Sequence, residues 1–235
     1  MASAAEQLVS NLNFSAFSKA DELKRRLLFT LGALLVYRLG TYIPMPGIDP
    51  QALASAFQQN QQGILGMFNM FAGGAVGRMA IFALGIMPYI SASIIMQLMT
   101  SVSNGLAQLK KEGEAGRKKI NEYTRYAAVL LATVQAYGLA VGLEGSGNIV
   151  PDPGWFFRAT TVITLVGGTM FLLWLGEQIT ARGVGNGTSL IIFAGIAAEL
   201  PGALVSVLEL NRQGAMSTPF ILTLFVLALA VVAAI

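Results

Sequence analysis

Histidine and cysteine, the side chains that most often serve as bases, nucleophiles and transition-metal ligands, are both absent from the 235 residues. Without imidazole or thiolate there is no zinc, haem or iron–sulfur site of the usual kind, no Cys nucleophile and no Ser-His-Asp triad. No enzyme activity, metal or cofactor is expected. Arg182-Gly183-Val184-Gly185-Asn186-Gly187 has the glycine content of a phosphate-cradling loop. It follows an apolar run instead of a strand and lacks the Lys-Ser/Thr of a P-loop, so direct nucleotide binding is not expected and tight turning explains its glycines. The remaining candidates are charges in apolar surroundings. Arg38 lies about five residues from the end of its apolar run and can snorkel outward, whereas Glu199 lies deeper. An intramembrane charge costs about 2.5–3.5 kcal/mol on insertion scales, so Glu199 is expected to face a polar cavity or the bundle interior.

The elements that must position these residues follow from composition. Hydrophobic residues make up 54% of the chain and charged ones 11%, against about 25% charged in a soluble domain. A globular protein of this size buries only about 70–75% of its unfolded surface, so much of this apolar content would face water. The solvent is lipid, and the fold class is an all-α polytopic membrane protein. Six spans are predicted: Leu27 to Ile43, Met79 to Val102, Tyr126 to Leu143, Thr160 to Leu175, Leu190 to Leu208 and Phe220 to Ile235. The second, at 24 residues, reaches about 36 Å as a helix, enough for a hydrocarbon core of about 30 Å. Glu199 and Pro201 interrupt the fifth. The sixth, with 16 residues and no basic anchor after it, reads as cut short, so the whole chain reads as a fragment.

Basic residues set the orientation. Lys19, Lys24, Arg25 and Arg26 precede the first span, Lys110, Lys111, Arg117, Lys118, Lys119 and Arg125 lie between the second and third, and Arg182 follows the fourth. Alternating spans put these eleven on one side and leave Arg78, Arg158 and Arg212 on the other. That asymmetry predicts a cytoplasmic N-terminal segment (1–26) and a cytoplasmic loop at 103–125. The loop's charges suit either a solvated topology determinant that meets anionic headgroups or a docking surface for a cytosolic partner. The apolar run before Pro44 lacks a small-x-small cleavage site, so the first span is expected to remain as an anchor.

Two segments do more than span. Ile64 to Phe71 (ILGMFNMF), followed by Ala72-Gly73-Gly74, is too short to cross at about 12 Å of helix. It either lies in the interface or dips back into protein on a Gly73-Gly74 hinge. In the second span Ile86 and Ile90 share a helix face, Pro88 is expected to kink the helix, and Ser91, Ser93 and Gln97 want partners. A constriction of branched apolar side chains resists wetting and ion leak, although an Ile pair at this spacing also suits plain packing.

LKRRLLF (23–29), IPMPGID (43–49), FNMFAGGA (68–75), IFALGIMPYISASIIMQL (81–98), KKEGEAGRKKINEYTRY (110–126) and WLGEQITARGVGNG (174–187) together resemble the bacterial SecY family, colinearly from Leu23 onward. The resemblance implies the first half of an inverted-repeat clamshell of ten helices: five helices over 27–208, then a loop and truncated sixth helix over 209–235. It implies a pore ring at Ile86, Ile90, Thr188 and Ile192, with Thr188 in a commonly aliphatic place. It implies a re-entrant plug over 64–74, including Ile64, Leu65, Met67, Phe68, Asn69, Met70, Phe71, Gly73 and Gly74. Gln97 falls on the lateral gate, and Lys110, Lys111, Arg117, Lys118, Lys119 and Arg182 on the surface for cytosolic partners. The implied function is passage of secretory proteins across, and membrane proteins laterally into, the bacterial plasma (inner) membrane. Implied partners are SecE, SecG, the SecA motor, the ribosome, signal sequences and nascent chains, with anionic lipids around them. The alternatives are an inverted-repeat transporter for small solutes, which calls for a midplane cluster of ion-coordinating groups, and an inactive fragment that is itself an insertion substrate. The topology makes a direct expectation: a reporter fused after Glu209 reads out as extracytoplasmic, and a cytoplasmic signal would remove the fifth span.

Overall fold

The computed structural model describes residues 21–60, 69–146, 149–212 and 218–234. Its helices are α1 (Asp21–Gly40), α2 (Pro50–Asn60), α3 (Met87–Val102), α4 (Asn104–Lys111), α5 (Glu114–Gly145), α6 (Trp155–Arg182), α7 (Gly187–Arg212) and α8 (Thr218–Ala234). Three of the described helices, α5, α6 and the Gly187–Val207 part of α7, are long and apolar enough to cross a membrane.

The centre of the bundle is α6, which buries Leu165, Leu172, Leu173, Leu175 and Ile179 together with Thr161, Gly168, Thr169 and Gly176. Lipid tails are as apolar as leucine, so helices here associate by close packing instead of by escape from solvent. The sequence supplies small residues for this. On α5, Ala128, Ala132, Ala136 and Ala140 recur every four residues, all fully buried. That spacing is one helix face. The opposite face leaves Tyr126, Leu130, Val134, Tyr137 and Val141 exposed.

Both ends of the α5–α6 hairpin carry an ion pair. Arg125 pairs with Glu177 at one end. At the other, Arg158 Nη2 lies 2.6 Å from Glu144 Oε2, and Glu144 Oε1 also accepts from the Gly154 N–H at 3.0 Å. Each helix thus carries two charges nineteen residues apart. That is about 28 Å of helix, close to the roughly 30 Å hydrocarbon core.

Two boundaries differ from the sequence prediction. The basic loop is largely helical: α4 and the first turns of α5 occupy it, broken at Gly113 with φ +75°. The second span does not run as one helix from Met79. Residues 72–86 form a chain of turns, with positive φ at Gly73, Gly74, Met79 and Gly85, and α3 starts at Met87. Pro88 sits in its first turn and therefore begins the helix instead of kinking it. A proline N–H is not missed there, because the first turn of a helix has no acceptor for it.

The turns lie against α6 at a glycine. A Cβ on Gly168 would collide with the backbone oxygen of Ile81. Gly168→Leu in the full-length protein is expected to cost about 1–3 kcal/mol through overpacking, read as a lower thermal midpoint in detergent. Gly167→Leu, beside open space, serves as the comparison and should change it little.

Candidate functional site

The turn segment and the helices around it bring together most of the residues singled out in the sequence. Its backbone is tied near its middle to the stretch that follows α1. The Met45 N–H donates to Met79 O at 2.9 Å and the Ile81 N–H to Ile43 O at 3.0 Å, around an antiparallel bridge between Pro44 and Ala80. Inside, the Gly74 N–H donates to Asn69 O at 2.9 Å and the Ala80 N–H to Ala75 O at 2.8 Å. Asn69 closes the loop a second time, its Oδ1 accepting the Gly77 N–H at 2.7 Å. Ala72, Ala75 and Ala80 form a small buried cluster of their own.

The segment lies against α1 and α7. Arg38 Nη1 donates to Gly73 O at 2.7 Å, and Nη2 to the Tyr42 hydroxyl at 3.2 Å. The guanidinium is held within protein and does not simply snorkel outward. A Cβ on Gly73 would stand 3.0 Å from Gly195 Cα on α7, and one on Gly195 would stand 2.9 Å from Phe71 O. Only glycines allow backbones this close, and the left-handed φ of +62° at Gly73 adds a second demand for one. At Gly74 a Cβ would meet Glu199 Oε1 at 2.6 Å and Arg78 Nη2 at 2.9 Å. Arg38 and Arg78 both lie over the Tyr42 ring, 5.1 and 4.2 Å from its centroid.

Of the residues assigned to the plug by resemblance, Asn69, Met70, Phe71, Gly73 and Gly74 belong to this arrangement, with the two glycines buried and Met70 and Phe71 exposed. Ile64, Leu65, Met67 and Phe68 lie outside the described residues. Ile86 is buried in the main apolar cluster with Phe82, Leu172 and Ile191, and Ile90 packs against that cluster. On α7 it is Ile191, not Ile192, that enters the cluster; Ile192 is partly buried. Thr188 sits against Gly176 of α6.

On the opposite side of the bundle, a cavity of about 140 Å³ is lined by Ser93, Gln97, Thr100, Lys110, Arg117 and Thr124, among others. Gln97 is exposed and donates from Nε2 to Ser93 Oγ at 3.4 Å. Lys110, Lys111, Arg117, Lys118, Lys119 and Arg182 are all exposed, and none forms an ion pair among the described residues. No group of three or more acidic residues among them could hold a metal ion.

The arrangement has known counterparts. The SecY family model matches residues 80–235. The chain belongs to the SecY family. It is 59% identical over 211 residues to the protein translocase subunit SecY of Rickettsia bellii, which covers 88% of this chain and 48% of that relative. It is 56% identical over 220 residues to the subunit of the same name from Escherichia coli K12, covering 92% of this chain and 50% of the relative. The chain thus spans about half the length of these SecY relatives. Two solved structures share the fold at TM-score 0.64 and 22% identity, each covering 90% of this chain and 47% of its own: a protein conducting channel, and Sec61 in the canine ribosome-channel complex from the endoplasmic reticulum.

Sequence alone gives Tyr42 and Arg78 no place in this site. Tyr42 lies in the turn just after α1, four residues from Arg38. Nothing local pairs Arg78 with a residue on α7. Asn69→Ala removes the acceptor of the Gly77 N–H, which costs about 1–3 kcal/mol for a buried orphan. It should speed amide exchange across residues 72–80 of the full-length protein while leaving α6 unchanged.

Proposed function

We propose that the chain forms one half of a protein-conducting channel that passes secretory proteins across, and membrane proteins laterally into, the bacterial plasma membrane. The observation that carries this reading is the 56–59% identity, along 88–92% of the chain, to proteins named as translocase subunits. It favours a channel over a small-solute transporter.

In this reading the protein supplies a path, not a reaction. Ile86, Ile90, Thr188 and Ile192 contribute half of an apolar collar, completed by residues of the second half. Branched aliphatic groups make such a collar hard to wet, and they accept any passing side chain because they form no specific hydrogen bonds with it. The plug over 64–74 lies on the extracytoplasmic side of the collar, and α3 with Gln97 lines one side of a lateral gate for signal sequences. Energy comes from partners: a translating ribosome or SecA, engaged from the cytoplasm where Lys110, Lys111, Arg117, Lys118, Lys119 and Arg182 present unpaired positive charge. SecE and SecG complete the assembly, and anionic lipids meet the same basic surface. The N-terminus is cytoplasmic by the distribution of Lys and Arg.

The collar is tested in the full-length protein reconstituted into vesicles. Ile86→Asn combined with Ile90→Asn is expected to raise ion leak about tenfold by letting water enter the constriction. Unchanged leak together with unchanged precursor export would remove these residues from the seal.

A further inference from the structure

Glu199 is not itself a collar, plug or gate residue, yet it sits where a carboxylate is expensive. It lies twelve residues into α7, counted from Gly187, which is about 18 Å along the helix. An ionised side chain at that depth persists when it pairs with countercharge or faces water. The countercharge arrives on other elements. Arg78 comes from the turn segment, and its Nη2 and Glu199 Oε1 gather at the same place, 2.9 and 2.6 Å from where a Cβ on Gly74 would stand, without a direct ion pair. Arg38 comes from α1, its guanidinium fixed on Gly73 O. The two cations share the Tyr42 ring, so two like charges are crowded beside one aromatic face. A nearby carboxylate relieves that repulsion.

Backbone contact adds to the charge. One turn of α7 before Glu199, Gly195 lets the helix approach Phe71 O and Gly73. Gly195 and Glu199 are four apart and share one face of α7, so that face meets the 71–78 turn through a steric fit and a charge at once. We propose that Glu199 is a positioning residue: its carboxylate, set beside Gly74 and Arg78, seats the Gly73–Arg78 turn on α7, and loss of its charge frees the turn without unfolding the bundle. Its consequence for a sealed channel rests on the function proposed above, but the seat can be tested without that reading.

This chain contains no cysteine, which permits a direct probe. Ala75 in the turn and Ala136 on α5 are both fully buried. Ala75→Cys or Ala136→Cys is introduced singly into the full-length protein, with any cysteine of the second half replaced, and its maleimide labelling rate is followed in nanodiscs. Glu199→Gln is expected to raise labelling of the Ala75→Cys protein about tenfold and to leave that of Ala136→Cys slow, while Glu199→Asp keeps both slow. In an Arg78→Ala background, Glu199→Gln should add much less than it does alone, because coupled partners are not additive. The proposal is overturned if Glu199→Gln leaves Ala75→Cys labelling at the parental rate, if both probes speed up together, if Glu199→Asp behaves like Glu199→Gln, or if the effects of Arg78→Ala and Glu199→Gln multiply independently. The channel reading stands or falls separately, on the leak of the Ile86 and Ile90 variant.

Discussion

Backbone that is not helical has to find every hydrogen bond inside the protein when it lies at membrane depth, because lipid supplies none. Residues 72–86 are the long non-helical stretch here, and much of the described structure answers their demand for hydrogen bonds. Residues Ile43 to Met45 take the middle of the segment into a short antiparallel bridge. Arg38 donates to a carbonyl of the turn, Asn69 accepts from one of its amides, and the turn's own N–H groups reach back to Asn69, Val76 and Ala75. Alanines at 72, 75 and 80 let the turn fold tightly on itself.

Around this segment the bundle is held by proximity more than by hydrophobicity. Glycines stand where backbone meets backbone or ring: Gly40 at Phe82, Gly168 at Ile81, and Gly195 at Phe71 and Gly73. The alanine ladder of α5 does the same work along a full helix face. Ion pairs tie both ends of the α5–α6 hairpin, at Arg125–Glu177 and Glu144–Arg158, and a further group of charges gathers around Tyr42. That group is the place where three elements remote in sequence converge.

Much of this was readable from residue order, and the parts that were not share a cause. Hydropathy and length locate α5, α6, α7 and α8, because long apolar runs between charged loops leave little choice, but α5 begins twelve residues and α6 five residues before the predicted spans. Hydropathy cannot distinguish an apolar helix from an apolar string of turns, so Met79 to Ile86 read as the start of a span. The glycine at 85 and proline at 88 were the contrary signals, and their order, a left-handed residue and then a first-turn proline, marks a helix beginning. The basic loop read as irregular because solvated charge has no apolar stripe, yet short helices form there. Glu199 stood out by its cost, but Arg78 as its neighbour was invisible: 121 residues separate them, and only the tertiary fold brings the two to Gly74.

That separation gives the seat of the turn a history in time. Gly73 emerges from synthesis 122 residues before Gly195. At about 5–20 residues per second, the interval is roughly 6–24 s. At its start the segment has its own internal bonds and the contacts of α1; the α6 surface at Gly168 follows 95 residues after Gly73, and the α7 face that completes the seat comes last. Its early hydrogen bonds are therefore local by necessity, and the distant ones close last. The turn is a provisional structure for as long as the chain is growing, and the arrival of α7 makes it permanent.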